Sequence, residues 1–514
     1  MNSYTTVATK VKKEPLAIYR WTVLLFISLA MFGNYYIYDS ISPLADLLVK
    51  QLHFTDQNIG LLQGIYSFPN IIMVLVGGII IDRIGTKKSA LIFTILVFIG
   101  ALFTALSDSF LMMVIGRLIF GLGAESMIVA ITTVIAKWFK GKELSLAFGL
   151  NLTIARLGSF LALNSPSWGK SFYNTWQGPL MITVAAGLFA VICLIVYYLL
   201  DLYAEKNFIL NKEGEQDKIA LSEIFKLNRS RIILVITLIP LSLILLFQVN
   251  FILPSLEVEN ILKLIAIIVV IIVFGFLNFK SFSKSFWFIC CLCVVFYSAI
   301  FPFQTFAIKF FQDVHSTTRE VGGGLSSMLT LAAMIFTPLF GLLVDKVGKR
   351  SLMMMIGSLL IVPVYLVMAY KIDLGSFIGL NEGIRLNINW LGIDALFPFS
   401  LIIPMSIMGL AFSLVPAVMW PSVALVVQDS KLGTAYGLMT MIQNVGLFGF
   451  NIIIGFVNDM SSASATNPEG YTPGMWIFSI CGILGLFFAF MLRKNEKGAG
   501  SHGLELGSIH TKKQ

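Results

Sequence analysis

The chain has 514 residues, of which 57% are hydrophobic and only 12% are charged. A soluble globule carries about 25% charged and about 45–50% apolar residues, so this composition excludes an ordinary water-facing surface and describes an integral membrane protein. The net charge of +9 would suggest a polyanion partner only in a soluble domain; spread over alternate loops between apolar runs, basic residues set topology instead.

A spanning helix needs about 20 mainly apolar residues. In chain order, such runs fall at 20–47, 58–81, 89–107, 110–136, 143–165 and 178–201. A polar stretch, 201–231, then precedes two runs at 232–252 and 260–279. Six more follow at 285–311, 322–344, 350–370, 396–427, 433–457 and 473–492, giving fourteen predicted helices. The first run is too long for a signal-peptide core and lacks a small-residue cleavage pattern, so it is expected to stay. Lys10, Lys12, Lys13 and Arg20 precede it, which places the N-terminus in the cytoplasm, and that orientation puts 27 of the 36 Lys and Arg residues on inner loops and tails. Both termini are then cytoplasmic, and no nucleic-acid partner is needed. The predicted organisation is an N-tail (1–19), a six-helix bundle (20–202), a linker (203–231), two extra helices (232–280), a second six-helix bundle (285–493) and a C-tail (494–514).

Cys193, Cys290, Cys291, Cys293 and Cys481 all fall inside apolar runs. They read as packing residues, with neither disulfide nor metal-ligand spacing, and no cofactor is expected.

The run ending near residue 81 continues as Gly78-Ile-Ile-Ile-Asp82-Arg83-Ile-Gly85-Thr-Lys87-Lys88, and the tenth ends as Gly341-Leu-Leu-Val-Asp345-Lys346-Val-Gly348-Lys349-Arg350. Both read G-x-x-x-D-[RK]-x-G-x-[KR] at the inner end of a helix. Glycine permits close helix approach, and the aspartate can accept from the N-terminus of a neighbouring helix. An ordinary basic stop explains one copy; two copies at equivalent places indicate duplicated halves.

The repeated loop resembles the signature loop of the major facilitator superfamily, and Arg117 with Gly121 and Gly123 resembles its second motif. The stretch Phe32-Gly33-Asn34-Tyr35-Tyr36-Ile37-Tyr38-Asp39, the segment Gly121 to Ser126, the run from Trp138 to Ser159, and Trp420 through Leu432–Gly437 to Asn444 look like the lysosomal dipeptide transporters of that superfamily. The likeness covers nearly all of both halves. It implies an all-α membrane protein of two six-helix bundles that moves small zwitterions, dipeptides foremost, by alternating access as a uniporter. The runs 232–252 and 260–279 have no counterpart in that plan, and the outer stretch 371–395 is longer than it requires. The N-tail lacks an acidic dileucine signal, and Glu205 to Leu210 fits one only loosely.

An ionisable side chain deep in a bilayer costs at least about 2.5–3.5 kcal/mol on insertion scales, so each needs a partner or a purpose. Asp39, Arg117, Glu125, Arg156 and Lys309 are the candidates; the four histidines lie in loops or tails. Glu125 and Arg156 share a level, roughly 17 and 20 Å from the inner side at 1.5 Å per residue. They read either as a structural ion pair or as a clamp, the carboxylate taking a substrate ammonium and the guanidinium a substrate carboxylate. The resemblance implies the second, because the matching Glu and Arg of those transporters contact the peptide termini. Tyr38, Asp39 and Lys309 lie toward the outer side as further substrate contacts, gate elements or snorkelling groups. Gln443 and Asn444 lie about 15 Å into their helix, suited to a peptide bond or to an interhelical hydrogen bond. Trp420, between Pro416 and Pro421, reads as a cavity wall at a broken helix or as packing. Gly78, Asp82, Arg83, Gly85, Gly341, Asp345 and Gly348 form the expected inner latches, with Arg117 a structural or coupling element.

The rival readings are a proton-coupled transporter of another organic ion, a lipid-acting enzyme and a non-transporting receptor. No metal cluster or Ser/His/Asp set lies at a common depth, which argues against an enzyme. The expected partners are a dipeptide and membrane lipid, with an accessory subunit, as the resembled lysosomal proteins have, if the chain is lysosomal; oligomeric state is left open. The Asn-x-Ser/Thr sites at Asn151 and Asn228 fall in a helix and an inside loop. A cell (inner) membrane is the expected location, a lysosomal membrane the alternative.

Overall fold

The computed structural model of the chain describes residues 15–139, 143–208, 282–377, 379–380, 382–388, 393–428, 431–497 and 501–506, with isolated positions between 235 and 275. The first half comprises α1 (Ala17–Asp39), α2 (Ala45–Leu52), α3 (Asp56–Gly64), α4 (Ser67–Ile84), α5 (Thr86–Leu106), α6 (Phe110–Phe139), α7 (Leu144–Leu163) and α8 (Gln177–Asn207). The second comprises α9 (Lys284–His315), α10 (Arg319–Val347), α11 (Arg350–Ala369), α12 (Phe399–Val426), α13 (Leu432–Met460) and α14 (Thr472–Glu496). In lipid, a crossing segment must satisfy its backbone internally, which is why the long apolar runs all become helices. Eleven helices among the described residues are long and apolar enough to span. Together α3 and α4 make a twelfth crossing, so each half holds six.

Local chemistry sets the helix ends. Ser283 and Thr318 cap α9 and α10 by accepting from Phe286 N and Val321 N, and Thr55 with Asn58 forms a capping box on α3. The signature loops turn at Gly85 (φ +85°) and Gly348 (φ +69°), a backbone region that glycine enters without steric cost.

The structure departs from the expected elements in four places. The run 58–81 is two helices, interrupted at Ile65–Tyr66. The first run ends as a helix at Asp39, and its remainder forms a 3-10 turn (Ser42–Leu44) and the start of α2. Helix α12 continues through Pro404, Pro416 and Pro421, so Trp420 does not sit at a broken helix; proline is tolerated there because neighbouring helices satisfy the freed backbone groups. The long outer stretch contains an antiparallel hairpin, β1 (Gly383–Ile388) with β2 (Ile393–Pro398), in register from Gly383↔Pro398 to Ile388↔Ile393. The predicted extra helices 232–252 and 260–279 lie outside the described residues apart from those isolated positions.

The face bearing the two signature loops is here the inner face. Buried apolar side chains form two clusters, one confined to the first half. The other fills the second half and continues into the outer end of the first, through Ile41, Leu48, Leu62, Met113 and Leu180. Among the described residues the halves therefore share a core chiefly toward the outside. Polar contacts follow the same pattern. Arg319 forks onto Asp46 (Nε–Oδ1 3.1 Å, a second N–O of 2.6 Å), Lys170 meets Glu320 at 3.4 Å, and Ser42 donates to the Gln304 carbonyl at 2.6 Å. Lys309 Nζ lies 2.9 Å from Asp56 Oδ1 and donates to the Tyr471 hydroxyl at 2.8 Å. Asp459 accepts from the backbone N–H groups of Asp56 and Gln57 at 2.8 and 2.7 Å, capping α3 from the other half. Close backbone approach completes the seam, because a Cβ at Gly60 would lie 2.2 Å from the Asn451 carbonyl oxygen.

Candidate substrate site

The first residues of the site come from α1 and α6. Successive aromatic residues on α1 place Tyr35 and Tyr38 half-buried in the interior. The glycines of α6 bring it close to its neighbours; a Cβ at Gly121 would sit 2.2 Å from the Tyr66 carbonyl oxygen. One turn further on, Glu125 is half-buried and accepts a 2.9 Å hydrogen bond from the Tyr66 hydroxyl. Arg156, on α7, is also half-buried. Its guanidinium carbon lies 5.4 Å from the Tyr35 ring centroid and 5.5 Å from that of Phe412, so rings from the two halves flank it. Tyr35 is within electrostatic reach of Arg156, Glu125 and Asp39 together.

Glu125 and Arg156 thus share a region but form no ion pair within 4.0 Å among the described residues. Aromatic residues make the facing wall. Tyr38 packs edge-on to Tyr66 (4.8 Å) and Phe301 (6.2 Å), and Phe301 stacks on Tyr297 (5.5 Å, 12°). Trp420 Nε1 donates to the Tyr297 hydroxyl at 2.9 Å, its ring stacks on Tyr436 at 6.0 Å, and the Tyr436 hydroxyl donates to the Trp420 carbonyl. Gln443 is half-buried on the same side, with its Oε1 3.8 Å from Cys293 Sγ.

Other candidates stand apart. Lys309, considered for substrate, is buried in the outer seam with Asp56, Asp313 (3.5 Å) and Tyr471, which leaves its ammonium engaged. Asn444 is buried and donates to the Thr440 carbonyl within its own helix. Asp39 is buried at the end of α1 within reach of Arg156 and Arg117.

Arg117 is fully enclosed. It donates to the carbonyls of Ile37 (3.1 Å), Tyr38 (3.4 Å) and Leu62 (3.3 Å) and to Gln63 Oε1 (2.7 Å), and its guanidinium stacks 4.9 Å from the Phe120 ring. It fastens the end of α1 to the end of α3.

At the inner face, the described latch side chains make no ion pair to the opposite half, and the second loop meets the C-terminal segment instead, Lys349 N–H donating to the Glu505 carbonyl at 3.3 Å and Arg350 N–H to the Leu504 carbonyl at 3.1 Å. Nothing lies within 4 Å of a Cβ built at Gly78, Gly85 or Gly341. Asp345 pairs with Arg350 of its own half at 2.8 Å and its side chain is 70% exposed. Arg83 is exposed, and the Asp82 side chain lies outside the described ones.

The Major Facilitator Superfamily model matches residues 27–314, more than half of the chain. The chain belongs to the major facilitator superfamily. It is a multi-pass membrane transporter of that family, with two halves of six crossings each among the described residues. It is 30% identical over 456 residues to a lysosomal dipeptide transporter, MFSD1, of Danio rerio, covering 86% of this chain and 81% of the relative. The Homo sapiens lysosomal dipeptide transporter MFSD1 is 29% identical over 454 residues, 86% of this chain and 80% of that one. Among solved structures, a point mutant of the peptide transporter POT superposes with a TM-score of 0.66 at 14% identity, covering 94% of this chain and 97% of that one. A point mutant of the nucleoside transporter NupG does so with a TM-score of 0.62, also at 14% identity, covering 92% and 99%. Peptide and nucleoside carriers superpose about equally well, so these structural likenesses establish the fold and leave the substrate to the residues.

Sequence reasoning missed Tyr35, Tyr66 and Phe412. Each lies in an apolar run, where an aromatic side chain is indistinguishable from packing until the facing helix is known. For Tyr66 a signal existed, since Gly64 and Pro69 bracket it as a helix interruption would.

Proposed function

We propose that the chain carries dipeptides across the membrane by alternating access, with Glu125 receiving the peptide ammonium and Arg156 the carboxylate. What carries this reading is that the two opposite charges lie in one interior region, each partly accessible and neither neutralising the other. A directly paired Glu and Arg would leave no room between them. An extended dipeptide separates its terminal charges by two residues, about 7 Å, which two unpaired groups in one region can bracket. Recognition by the termini leaves the peptide side chains to the aromatic wall, so one site serves many sequences. The names of the relatives support the same substrate class.

The closed outer seam, with Asp345 paired only within its own half, supports reading this as the inward-facing state. In the outward-facing state the Asp82 and Asp345 loops close the inner side while the outer seam parts. Transport is proposed as uniport, down the peptide gradient. The basic inner loops support cytoplasmic termini, and the relatives' lysosomal designation favours a lysosomal membrane over the cell membrane first expected.

The test is counterflow in proteoliposomes with a panel of neutral, cationic and anionic dipeptides. Arg156→Ala removes a charge-assisted contact of about 1.5–3 kcal/mol and should reduce uptake at low peptide concentration at least tenfold in correctly folded protein. Unchanged uptake would sink the clamp. Flux that requires a pH gradient would replace uniport by proton coupling.

A further inference from the structure

Tyr66 stands where the second crossing is interrupted, between the end of α3 at Gly64 and the start of α4 at Ser67. Its ring is held edge-on by Tyr38 at 4.8 Å and tilted against Phe120 at 5.7 Å. Its carbonyl accepts from Asn70 Nδ2 at 3.1 Å and packs on the bare backbone of Gly121, one turn before Glu125 on α6. From this fixed position the hydroxyl reaches Glu125 Oε1 at 2.9 Å. Above the interruption, α3 packs on the other half at its first turn, while Arg117 ties its last turn to α1 of its own half. Asp459 caps its first turn, and Gly60 and Gly64 lie against the carbonyls of Asn451 and Phe448.

We propose that Tyr66 is a positioning residue for Glu125, and that it carries the state of the outer closure to the ammonium site. This rests on the clamp reading above. One carboxylate oxygen held by a buried hydroxyl leaves the other directed at the peptide ammonium, and fixing a rotamer in advance spares its entropy on binding. When the outer face opens, α3 must leave α13 and Asp459. Because Arg117 holds the last turn of α3 to α1, that movement reaches α4 only through the interruption at Ile65–Tyr66, where it changes how the hydroxyl sits on Glu125 as the seam parts. Peptide affinity then differs between the two orientations through the ammonium end alone.

The readout is free-amine preference: the ratio of inhibition constants, in counterflow, of an N-acetylated dipeptide to its free form, using the tightest-binding panel member. Tyr66→Phe keeps the ring and removes only the hydroxyl. It should lower the ratio about tenfold, the scale of one hydrogen bond to a charged group, while leaving inhibition by the N-acetylated form unchanged. Glu125→Gln should lower it at least as far. Asp459→Asn, which loosens α3 at its far end, should change the ratio when the Tyr66 hydroxyl is present and have no further effect on it in combination with Tyr66→Phe. If Glu125→Gln collapses the ratio and Tyr66→Phe leaves it within twofold, the positioning role is overturned and the clamp stands. If neither variant changes it, both fail. An Asp459→Asn effect of equal size with and without the hydroxyl, or no effect in either, overturns the link to the outer closure.

Discussion

Replacing Asp56 by Asn tests whether the outer seam sets the carrier's resting orientation. Asp56 supplies the first-half carboxylate to Lys309, with Nζ 2.9 Å from Oδ1, and their side chains are 4% and 9% exposed. Breaking a buried pair costs about 3–5 kcal/mol, and an exposed pair is worth about 0–1 kcal/mol. Here Lys309 keeps Asp313 at 3.5 Å and the Tyr471 hydroxyl at 2.8 Å, so the cation is not stranded and the loss falls between those limits, near ~2 kcal/mol. The pair joins opposite halves and so acts only when the outer side is closed; the whole loss appears in the equilibrium between orientations. At 1.4 kcal/mol per factor of ten, the outward-open population should rise about thirtyfold. The assay is labelling by a membrane-impermeant maleimide at Ser42→Cys, a position buried in the seam where Ser42 now donates to the Gln304 carbonyl. Four native cysteines are buried and Cys291 is half-buried, so the parent without Ser42→Cys sets the background. While the open fraction is small, the labelling rate from the outer face follows that fraction. A rate within twofold of the parent would refute the assignment of this ion pair as a state-dependent lock.

Two further outcomes follow from the same geometry. Gly60→Val puts a branched side chain where even a Cβ would lie 2.2 Å from the Asn451 carbonyl oxygen, so the seam cannot close; outer-face labelling at Ser42→Cys should rise at least tenfold and counterflow should fall, and a parental labelling rate would count against close approach at this glycine. Arg117→Ala removes a donor from four acceptors on α1 and α3, of which the Ile37 and Tyr38 carbonyls keep Ser40 and Gln63 as donors, a loss of at least about 2 kcal/mol; the detergent-solubilised protein should aggregate several degrees lower in a fluorescence-detected size-exclusion melt, and an unchanged midpoint would show that the guanidinium is not the fastener it is taken for.

The family fold was legible because each half repeats a loop whose glycine, aspartate and basic residues fall at the same helix end, and because apolar runs in lipid have only one way to satisfy their backbone. At 1.5 Å per residue the sequence also puts Glu125 and Arg156 on one level, and both come within electrostatic reach of Tyr35. Contacts between non-neighbouring helices were not legible. Lys309 read from its helix alone as an outer charge free for substrate, and only the approach of α3 from the other half reveals that Asp56 already holds it. Trp420 between two prolines suggested a break, yet α12 runs on through both, since local propensity yields to tertiary satisfaction of the backbone. The interruption at Ile65–Tyr66 went the other way: Gly64 and Pro69 marked it, but its place is set by the approach of the Tyr66 carbonyl to Gly121 and by the bond from Arg117 to the Leu62 carbonyl, which only the neighbouring helix reveals. Alternation of Ile384, Leu386 and Ile388 with polar residues in the long outer stretch is the period-two pattern of the hairpin found there.

If the chain is the peptide uniporter proposed above, it has to return empty as well as travel loaded. Arg156 lies between a ring from each half, Tyr35 and Phe412, so its cation is accommodated without drawing Glu125 onto it. Rocking the halves apart strips away one of those rings on the unloaded leg, whereas a bound peptide brings its own carboxylate and keeps the guanidinium covered throughout. On this geometry the loaded leg has the lower barrier, and exchange of peptide for peptide runs faster than net flux.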